Sequence, residues 1–184
     1  MRASSAKAKG RRLQVQVAEA LARTCGLTIL AIPPTKPGKR NGVEWVPEGV
    51  AADLKVRPMG QAGPDVALLT ETARKAVAWM GRPFHVECKN VEGWSFDRMA
   101  KTGRLAPAVR AGLTQARRGR QNSAREYPLL VIGRNQMPPF VVYDVIPREK
   151  LIVLTSLSFA VVEGWHFLRL DQFVTLVDGA KGRE

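Results

Sequence analysis

The residues best suited to metal binding or catalysis are Asp65 and, 22 positions later, Glu87 and Lys89. Each lies in or beside an apolar run typical of a β-strand. Because side chains alternate along a strand, Glu87 and Lys89 share one face, while Val86 and Cys88 share the other. If the strand of Asp65 pairs with the strand of Glu87, the two carboxylates can converge on a hard cation such as Mg²⁺, which prefers oxygen ligands.

Two carboxylates around a divalent cation suit the hydrolysis of a phosphodiester. The cation lowers the pKa of a water and neutralises the charge that builds up on the phosphate. Lys89 would orient the water or stabilise that charge. The competing interpretation is that Asp65 and Glu87 are ordinary surface residues with Lys89 as a salt-bridge partner, worth at most about 1 kcal/mol.

The charge of the chain favours a polyanionic partner. Lys and Arg total 29 against 16 acidic residues, which gives a net charge of +13. Residues 1–40 contain nine Lys or Arg and one acid, and residues 98–125 contain eight and no acid. An acidic pair amid two basic regions is the arrangement that a nuclease needs in order to hold a metal and attract DNA. A basic RNA-binding protein is a weaker alternative, which would prefer RNA to DNA.

The cysteine count and the N-terminal sequence indicate a reducing compartment. Only Cys25 and Cys88 are present, so the sequence predicts neither a disulfide framework nor a four-ligand zinc site. The first residues lack the apolar stretch of a signal peptide, and no run reaches membrane-spanning length. We therefore expect a cytoplasmic protein with no membrane partner.

Hydrophobic periodicity and turn-forming residues predict the helices, strands and loops that hold these side chains. An amphipathic helix is predicted over residues 6–24, and a short helix over 71–77 with Thr70 as its N-cap. A basic helix is predicted over 105–118, with Pro107 in its first turn. Strands are predicted over residues 54–57, 65–69, 84–89, 129–132 and 140–143, and irregular loops over 33–42, 58–64 and 133–139.

The C-terminal region, from about residue 146, has shorter apolar runs. Apolar runs at 151–154 and 159–162 are predicted strands, followed by a short helix after Asp171. No repeat or linker divides the chain. We therefore predict one α/β domain over residues 1–184, with a core of about 7–145 and residues 146–184 as an extension of the same domain.

Three residues near the acidic pair in the sequence are predicted to have structural rather than catalytic roles. His85 shares the strand face of Glu87, but a lone histidine is more often structural, and we assign it no role. Cys88 is expected to face the core as a small hydrophobe. Trp94 could stack on a nucleic-acid base, although packing over a helix is the favoured interpretation.

The pattern Pro64-Asp65 followed by Glu87-Cys88-Lys89 resembles the motif of the PD-(D/E)XK nuclease superfamily. Residues 55–66 look like the loop and strand entry of archaeal-type Holliday-junction resolvases and related phage enzymes. In that superfamily a leading helix carries Gly-x-x-x-Glu. Here Gly10 is followed at the matching position by Gln14 in place of the acid, and Glu19 on the next turn is the alternative.

The resemblance implies a restriction-endonuclease-like core, which is a central mixed β-sheet flanked by helices. It further implies that Asp65, Glu87 and the backbone carbonyl of Cys88 hold Mg²⁺, with Mn²⁺ as a substitute. The catalytic set would be Asp65, Glu87 and Lys89, assisted by Gln14 and by Gln115 of the basic helix. The residues expected to contact DNA are Lys7, Lys9, Arg11, Arg12, Arg57, Gln61, Arg117, Arg118 and Arg120.

The function that the resemblance implies is a Mg²⁺-dependent, structure-selective DNA endonuclease of the Holliday-junction resolvase type, acting in recombination or replication. Such enzymes act as homodimers, because two sites related by a two-fold axis suit a symmetric four-way junction. A phage-encoded enzyme would act in the host cytoplasm. The alternatives are an exonuclease or nickase of the same fold, or a DNA-binding module that has lost activity, which Gln14 in place of an acid makes a real option.

Overall fold

The computed structural model describes residues 3–32, 36–58, 61–79, 81–121, 126–144, 157–158 and 160–183; side chains are described for these residues except 3–5, 120–121 and 181–183. The helices are α1 (Ala3–Cys25), α2 (Glu71–Ala76), α3 (Phe96–Thr102), α4 (Pro107–Gln121) and α5 (Leu170–Phe173), followed by 3₁₀ segments at Val174–Leu176 and Asp178–Arg183. The strands are β1 (Ile29–Leu30), β2 (Gly38–Arg40), β3 (Val43–Val46), β4 (Leu54–Val56), β5 (Val66–Leu68), β6 (Ala78–Trp79), β7 (Arg82–Asn90), β8 (Tyr127–Arg134), β9 (Met137–Tyr143), β10 (Ala160–Val162) and β11 (Trp165–Arg169).

The strands form one large mixed sheet in the order β10-β11-β9-β8-β7-β5-β4-β1-β3-β2, and β6 pairs with β7 beside this path. Strand β7 lies near the middle. It pairs antiparallel with β5 through Val66 and Val86, and parallel with β8 along seven residue pairs. A parallel pair needs a crossover connection, which α3 and α4 supply. The predicted pairing of the Asp65 strand with the Glu87 strand is confirmed.

Helices cover both faces of the sheet. Helix α1 packs with α2, α5 and the C-terminal segments on one face, and α3 and α4 pack on the other. A hydrophobic cluster therefore lies on each face of the sheet. Alternate residues of β8 contribute to the two clusters, because Leu129 and Val131 face α1 while Leu130 and Ile132 face α4. A strand buried on both faces reads as a continuous apolar run, which is how β8 appears in the sequence. The protein is thus a single α/β domain.

Helix α1 forms as its periodicity predicts, extending one to three residues beyond the predicted ends. Leu13, Val17, Ala18 and Leu21 are buried against the sheet. Full burial of a Leu or Val side chain contributes roughly 1.5–3 kcal/mol, so this stripe fixes the helix on the sheet. Among the described residues, no helix combines the length and apolar character needed to cross a membrane.

Two predicted loops are partly regular. Gly38–Arg40 forms β2 and pairs antiparallel with β3, so the prediction of an irregular 33–42 loop is wrong for this part; residues 33–35 lie outside the described residues. The turn is Asn41-Gly42, and both residues have positive φ, which is the geometry of a two-residue hairpin. The 133–139 loop shrinks to a turn, because β8 continues to Arg134 and β9 begins at Met137.

The remaining differences lie where apolar runs are short. Strands β1, β3, β6 and β11 and helix α3 are not predicted from the sequence. Asp65, predicted as the first residue of a strand, directly precedes β5. Of the predicted strand over 159–162, residues 160–162 form β10; Phe159 and the predicted 151–154 strand lie outside the described residues. The helix predicted after Asp171 is present as α5, which begins at Leu170 and so includes Asp171 itself.

Helix α4 approaches β7 and β8 closely because two of its residues have no side chain. A Cβ built on Gly112 would lie 3.0 Å from Leu130 Cδ1, and one on Gly119 would lie 2.2 Å from His85 Nε2. Glycine in a helix interior costs about 1 kcal/mol relative to alanine. Its presence at these two contacts therefore reflects packing rather than helix propensity.

We predict that Gly119→Ala destabilises the protein although alanine favours helix. The gain of about 1 kcal/mol in propensity is outweighed by overpacking against the buried His85 ring, which costs about 1–3 kcal/mol. The free energy of unfolding, measured with urea, should fall. The exposed position Thr114 on the same helix is the control, and Thr114→Ala should change stability by no more than about 0.5 kcal/mol. A more stable Gly119→Ala variant would show that His85 does not restrict the approach of α4.

Candidate active site

The side chains predicted to act together do meet in one cleft. The cleft has a volume of about 550 Å³ and lies between the start of α1, the 61–63 loop, β7 and α4. Gln14, Asp65, Glu87, Lys89 and Gln115 all line it. These residues come from four separate elements, so their convergence is a property of the tertiary structure.

Asp65 is fixed by backbone pairing and by two hydrogen bonds to its carboxylate. Its N–H donates to the carbonyl of Val86 (2.9 Å) where β5 meets β7. The side-chain amide of Gln14 donates to Oδ1 (2.7 Å), and the backbone N–H of Cys88 donates to Oδ2 (2.8 Å). The pairing of β5 with β7 therefore aims the carboxylate at the middle of β7.

Glu87 is a buried carboxylate, only 3% exposed, in contact with both other charged residues of the site. Burial raises the pKa of Glu87; the ion pair with Lys89 opposes the shift, and the negative charge of Asp65 adds to it. The Nζ atom of Lys89 lies 2.7 Å from Glu87 Oε1. Two carboxyl groups that repel each other at a partly desolvated position are stabilised by any cation that binds between them.

Lys89 reaches Glu87 because its stem packs under α4. The Cγ atom of Lys89 would lie 3.3 Å from a Cβ on Gly112, so the helix leaves just enough room for the lysine chain. The strand alternation is as predicted, since Glu87 and Lys89 face the cleft while Val86 and Cys88 join the core under α1. The expectation that Cys88 is a core residue is confirmed.

Gln14, rather than Glu19, completes the group on α1. Gln14 is 2% exposed, and its Oε1 has no hydrogen-bond donor among the described residues. Glu19 instead pairs with Arg40 (3.0 Å) and accepts a hydrogen bond from Asn41 (2.8 Å) at the β2–β3 hairpin. Gln115 is exposed on α4 at the rim of the cleft.

The available donors are the hard oxygens that Mg²⁺ prefers. Asp65 and Glu87 supply carboxylates, and the carbonyl of Cys88 points to the same side of β7 as the N–H that meets Asp65, because both groups of a strand residue face one neighbour. The unpaired Oε1 of Gln14 is a further acceptor. In the described part of the chain, no group of three or more His, Cys, Asp or Glu side chains is arranged to hold a metal ion by itself, so backbone carbonyl, amide or water oxygens would have to complete the site. Mg²⁺ is commonly held by one or two carboxylates, with water filling other positions, so this donor set fits it.

The residues expected to contact DNA divide into two groups. Lys7 and Gln61 line the cleft, Arg118 lines its continuation beyond Glu87, and Arg12 is exposed on α1. Lys9 is half-buried, and its backbone carbonyl accepts a hydrogen bond from Asn90.

Three other predicted DNA contacts have their guanidinium groups engaged within the protein. Arg11 donates to the carbonyl of Arg57 (3.2 Å) and burial lowers its pKa; Arg57 donates to the carbonyl of Ala62 and shapes the 61–63 loop. Arg117 pairs with Asp144 (2.6 Å) and stacks over Trp165. The side chain of Arg120 lies outside the described residues.

The structure also gives a partner to His85, to which the sequence assigned no role. His85 is 4% exposed, and its Nδ1 lies 3.2 Å from Glu126 Oε2. Glu126 precedes β8, and no sequence pattern links it to β7. The only signal in the sequence is the position of His85 two residues before Glu87, on the same strand face.

Trp94 is buried and packs edge-on against Phe140, as the packing interpretation predicts, so it is no platform for a base.

Comparison of the chain with family models, with curated proteins and with solved structures yields no significant match. The chemistry of the cleft therefore rests on its own geometry.

We predict a specific pH dependence for Glu87 in metal-free buffer. Its pKa is raised in the folded protein, so the folded state binds the proton more tightly than the unfolded state. The contribution of Glu87 to stability is thus lost as the pH rises from its ordinary pKa, near 4.5, through the raised value. The free energy of unfolding of Glu87→Gln, minus that of the parent, should increase across this window.

The exposed Glu71 is the matched control, since Glu71→Gln makes the same substitution at a carboxylate that is not buried. Chemical denaturation in the presence of a chelator, repeated between pH 4 and 8, provides the measurement. A difference for Glu87→Gln that shrinks as the pH rises would contradict the burial argument.

Proposed function

We propose that this protein is a Mg²⁺-dependent deoxyribonuclease with a restriction-endonuclease-like core. The observation that carries the proposal is the convergence of Asp65, Glu87 and Lys89 in one cleft, with Gln14 holding the first carboxylate. The competing idea of isolated surface residues predicts exposed side chains. Burial of Glu87 against two other charged groups is costly to stability and is typical of a functional site.

The topology around the cleft supports the same proposal. Helix α1 is followed by an antiparallel β4–β5–β7 unit, and β8 then pairs parallel to β7 after the α4 crossover. This is a mixed sheet flanked by helices, in the order implied by the resemblance to PD-(D/E)XK nucleases. The outer strands, β1 to β3 on one side and β9 to β11 on the other, extend this unit.

The residues would divide the work as follows. Asp65, Glu87 and the carbonyl of Cys88 would hold Mg²⁺, which when bound supplies positive charge at the phosphate and lowers the pKa of a water. Gln14 fixes the rotamer of Asp65 through its hydrogen bond. Lys89 places an ammonium beside the phosphate, where it stabilises developing negative charge.

The substrate is proposed to be branched DNA, cut by a homodimer. The basic character of the chain supplies the sequence-independent attraction to a backbone. Selection of a four-way junction rests on the resemblance to Holliday-junction resolvases, because two identical sites suit the symmetry of that substrate.

One observation favours a second candidate, a DNA-binding module without catalysis. Both oxygens of Asp65 already accept hydrogen bonds from the protein, and Gln14 stands where the superfamily has an acid. A site with fewer anionic ligands binds Mg²⁺ more weakly. Such a module would bind DNA with equal affinity whether or not Asp65 is neutralised.

We predict that Asp65→Asn, Glu87→Gln and Lys89→Ala each lower the rate of DNA cleavage by about a hundredfold or more, the usual effect of removing a group that acts on the reacting centre. Cleavage should require Mg²⁺ or Mn²⁺. The assay is incubation with four-way junction, flap, linear duplex and single-stranded DNA, and paired symmetric nicks confined to the junction would identify a resolvase.

The chain offers a matched control pair. Glu71 and Lys75 form an exposed ion pair on α2, outside the cleft (3.7 Å), so Glu71→Gln and Lys75→Ala should retain parental rates. If the parent binds these DNAs but cleaves none of them with either metal ion, the nuclease proposal fails and the binding module is favoured. Preference for RNA in the same panel would favour an RNA-binding protein.

A further inference from the structure

The cleft does not end at Glu87. A second lobe of about 480 Å³ continues along β7 on the far side of this residue. We call it the His85 lobe, defined by His85, Arg118, Gly119 and Glu126. Gln61, Ala62, Gly63, Glu87 and Gln115 line both this lobe and the cleft described above.

The shared residues make the two lobes one groove. The 61–63 loop forms one wall along its length and α4 forms the other. His85, Glu87 and Lys89 follow the floor, and alternate residues on a strand are about 7 Å apart. That interval is comparable with the spacing of consecutive phosphates on one nucleic-acid strand, so a strand lying in the groove with one phosphate at Glu87 would place the next one at the His85 lobe.

The chemistry of the lobe suits a phosphate rather than a base. Its described lining contains no Trp, Tyr or Phe ring on which a base could stack. The negative charge of Glu126 is already offset, because one oxygen lies 3.5 Å from Arg74 and the other lies 3.2 Å from His85 Nδ1. Arg118 remains as the cation at the rim.

Arg118 differs from Arg110 and Arg117 on α4, because no described carboxylate pairs with it. Arg110 pairs with Glu163 (2.7 Å) and Arg117 pairs with Asp144 (2.6 Å). Among the described residues, no carboxylate pairs with Arg118, and its side chain borders the groove. A guanidinium can hold a phosphate through two parallel hydrogen bonds, so an unpaired arginine at the mouth of a lobe is suited to that ligand.

The shape of the lobe is fixed by specific contacts between its residues. The His85 ring is buried and held through Nδ1 by Glu126, while Gly119 leaves the space that Nε2 occupies. These contacts fix the floor of the lobe and the approach of α4. They therefore fix the distance from Arg118 to the acidic pair.

We infer that the His85 lobe is a phosphate subsite, in which Arg118 binds the backbone phosphate next to the scissile one on the same strand. The inference rests on the proposed nuclease function and adds to it a requirement for continuous backbone on one side of the cut. It makes Arg118 a binding residue whose loss weakens affinity for the strand. His85, Glu126 and Gly119 are positioning residues for this subsite.

Binding without cleavage gives the first test. We expect Arg118→Gln to weaken binding of a single-stranded oligonucleotide, measured by fluorescence anisotropy in the presence of a chelator, by roughly tenfold. The slope of log affinity against log salt should become shallower by about 0.7, the contribution of one phosphate contact on a single strand. Arg110→Gln, the same change on the same helix, should alter affinity by less than twofold.

Neutral backbone linkages give the second test. Two oligonucleotides are compared, each with a single methylphosphonate, placed on one side of the cleaved bond in the first and on the other side in the second. Each therefore lacks one phosphate charge. On one side only, the substitution should weaken binding to the parent by roughly tenfold and to Arg118→Gln by less than twofold, because the partner of that charge is already gone. In steady-state assays Arg118→Gln should raise KM and leave kcat near the parental value.

The outcomes separate this inference from the proposed function. If the parent cleaves DNA but the methylphosphonate costs the parent and Arg118→Gln equally, the subsite is wrong and the nuclease stands. If Arg110→Gln and Arg118→Gln weaken binding equally, Arg118 contributes only general charge and the subsite is again wrong. If the parent never cleaves, the nuclease proposal fails, while the affinity and salt slope of Arg118→Gln still decide whether this arginine binds a phosphate.

Discussion

The site depends on the short antiparallel contact between β5 and β7. One residue pair, Val66 with Val86, sets the register, and the hydrogen bond from the Cys88 N–H then holds the carboxylate of Asp65. A slip of one residue would turn the Glu87 side chain to the opposite face of the sheet, because side chains alternate along a strand. The apolar residues of β7 that pack under α1 prevent this slip, so the hydrophobic core fixes the position of the charged groups.

Placing the buried carboxylate of Glu87 beside the half-buried carboxylate of Asp65 creates an electrostatic repulsion that the neighbouring elements offset. Lys89 neutralises part of the charge on Glu87, and Gln14 stabilises Asp65 by donating a hydrogen bond. The closeness of α4, made possible by Gly112, limits the room in which the Lys89 chain can move. These contacts keep the acidic pair in place, and the proposed metal binding rests on that arrangement.

Several differences between expectation and structure have local physical causes. The pair Asn41-Gly42 is a strong hairpin signal, but the prolines of residues 33–37 favour a loop and outweigh it in a prediction from sequence. Pro138 and Pro139 suggested a long turn, whereas they lie at a register shift between β8 and β9, where a missing N–H is tolerated. His85 looked like an ordinary strand residue because its partner Glu126 is 41 positions away.

Two relations in the site follow from local backbone geometry and can be read from the residue pattern alone. Alternation along β7 places Glu87 and Lys89 together, and helical periodicity gives α1 its buried stripe, since both follow from backbone repeats of two and 3.6 residues. The contact of Gln14 with Asp65, 51 positions along the chain, arises only in the folded protein, and so does the ion pair of Arg117 with Asp144, whereas no carboxylate among the described residues pairs with Arg118. Such choices depend on how helices pack against the sheet, and the packing is set by contacts between residues far apart in the chain.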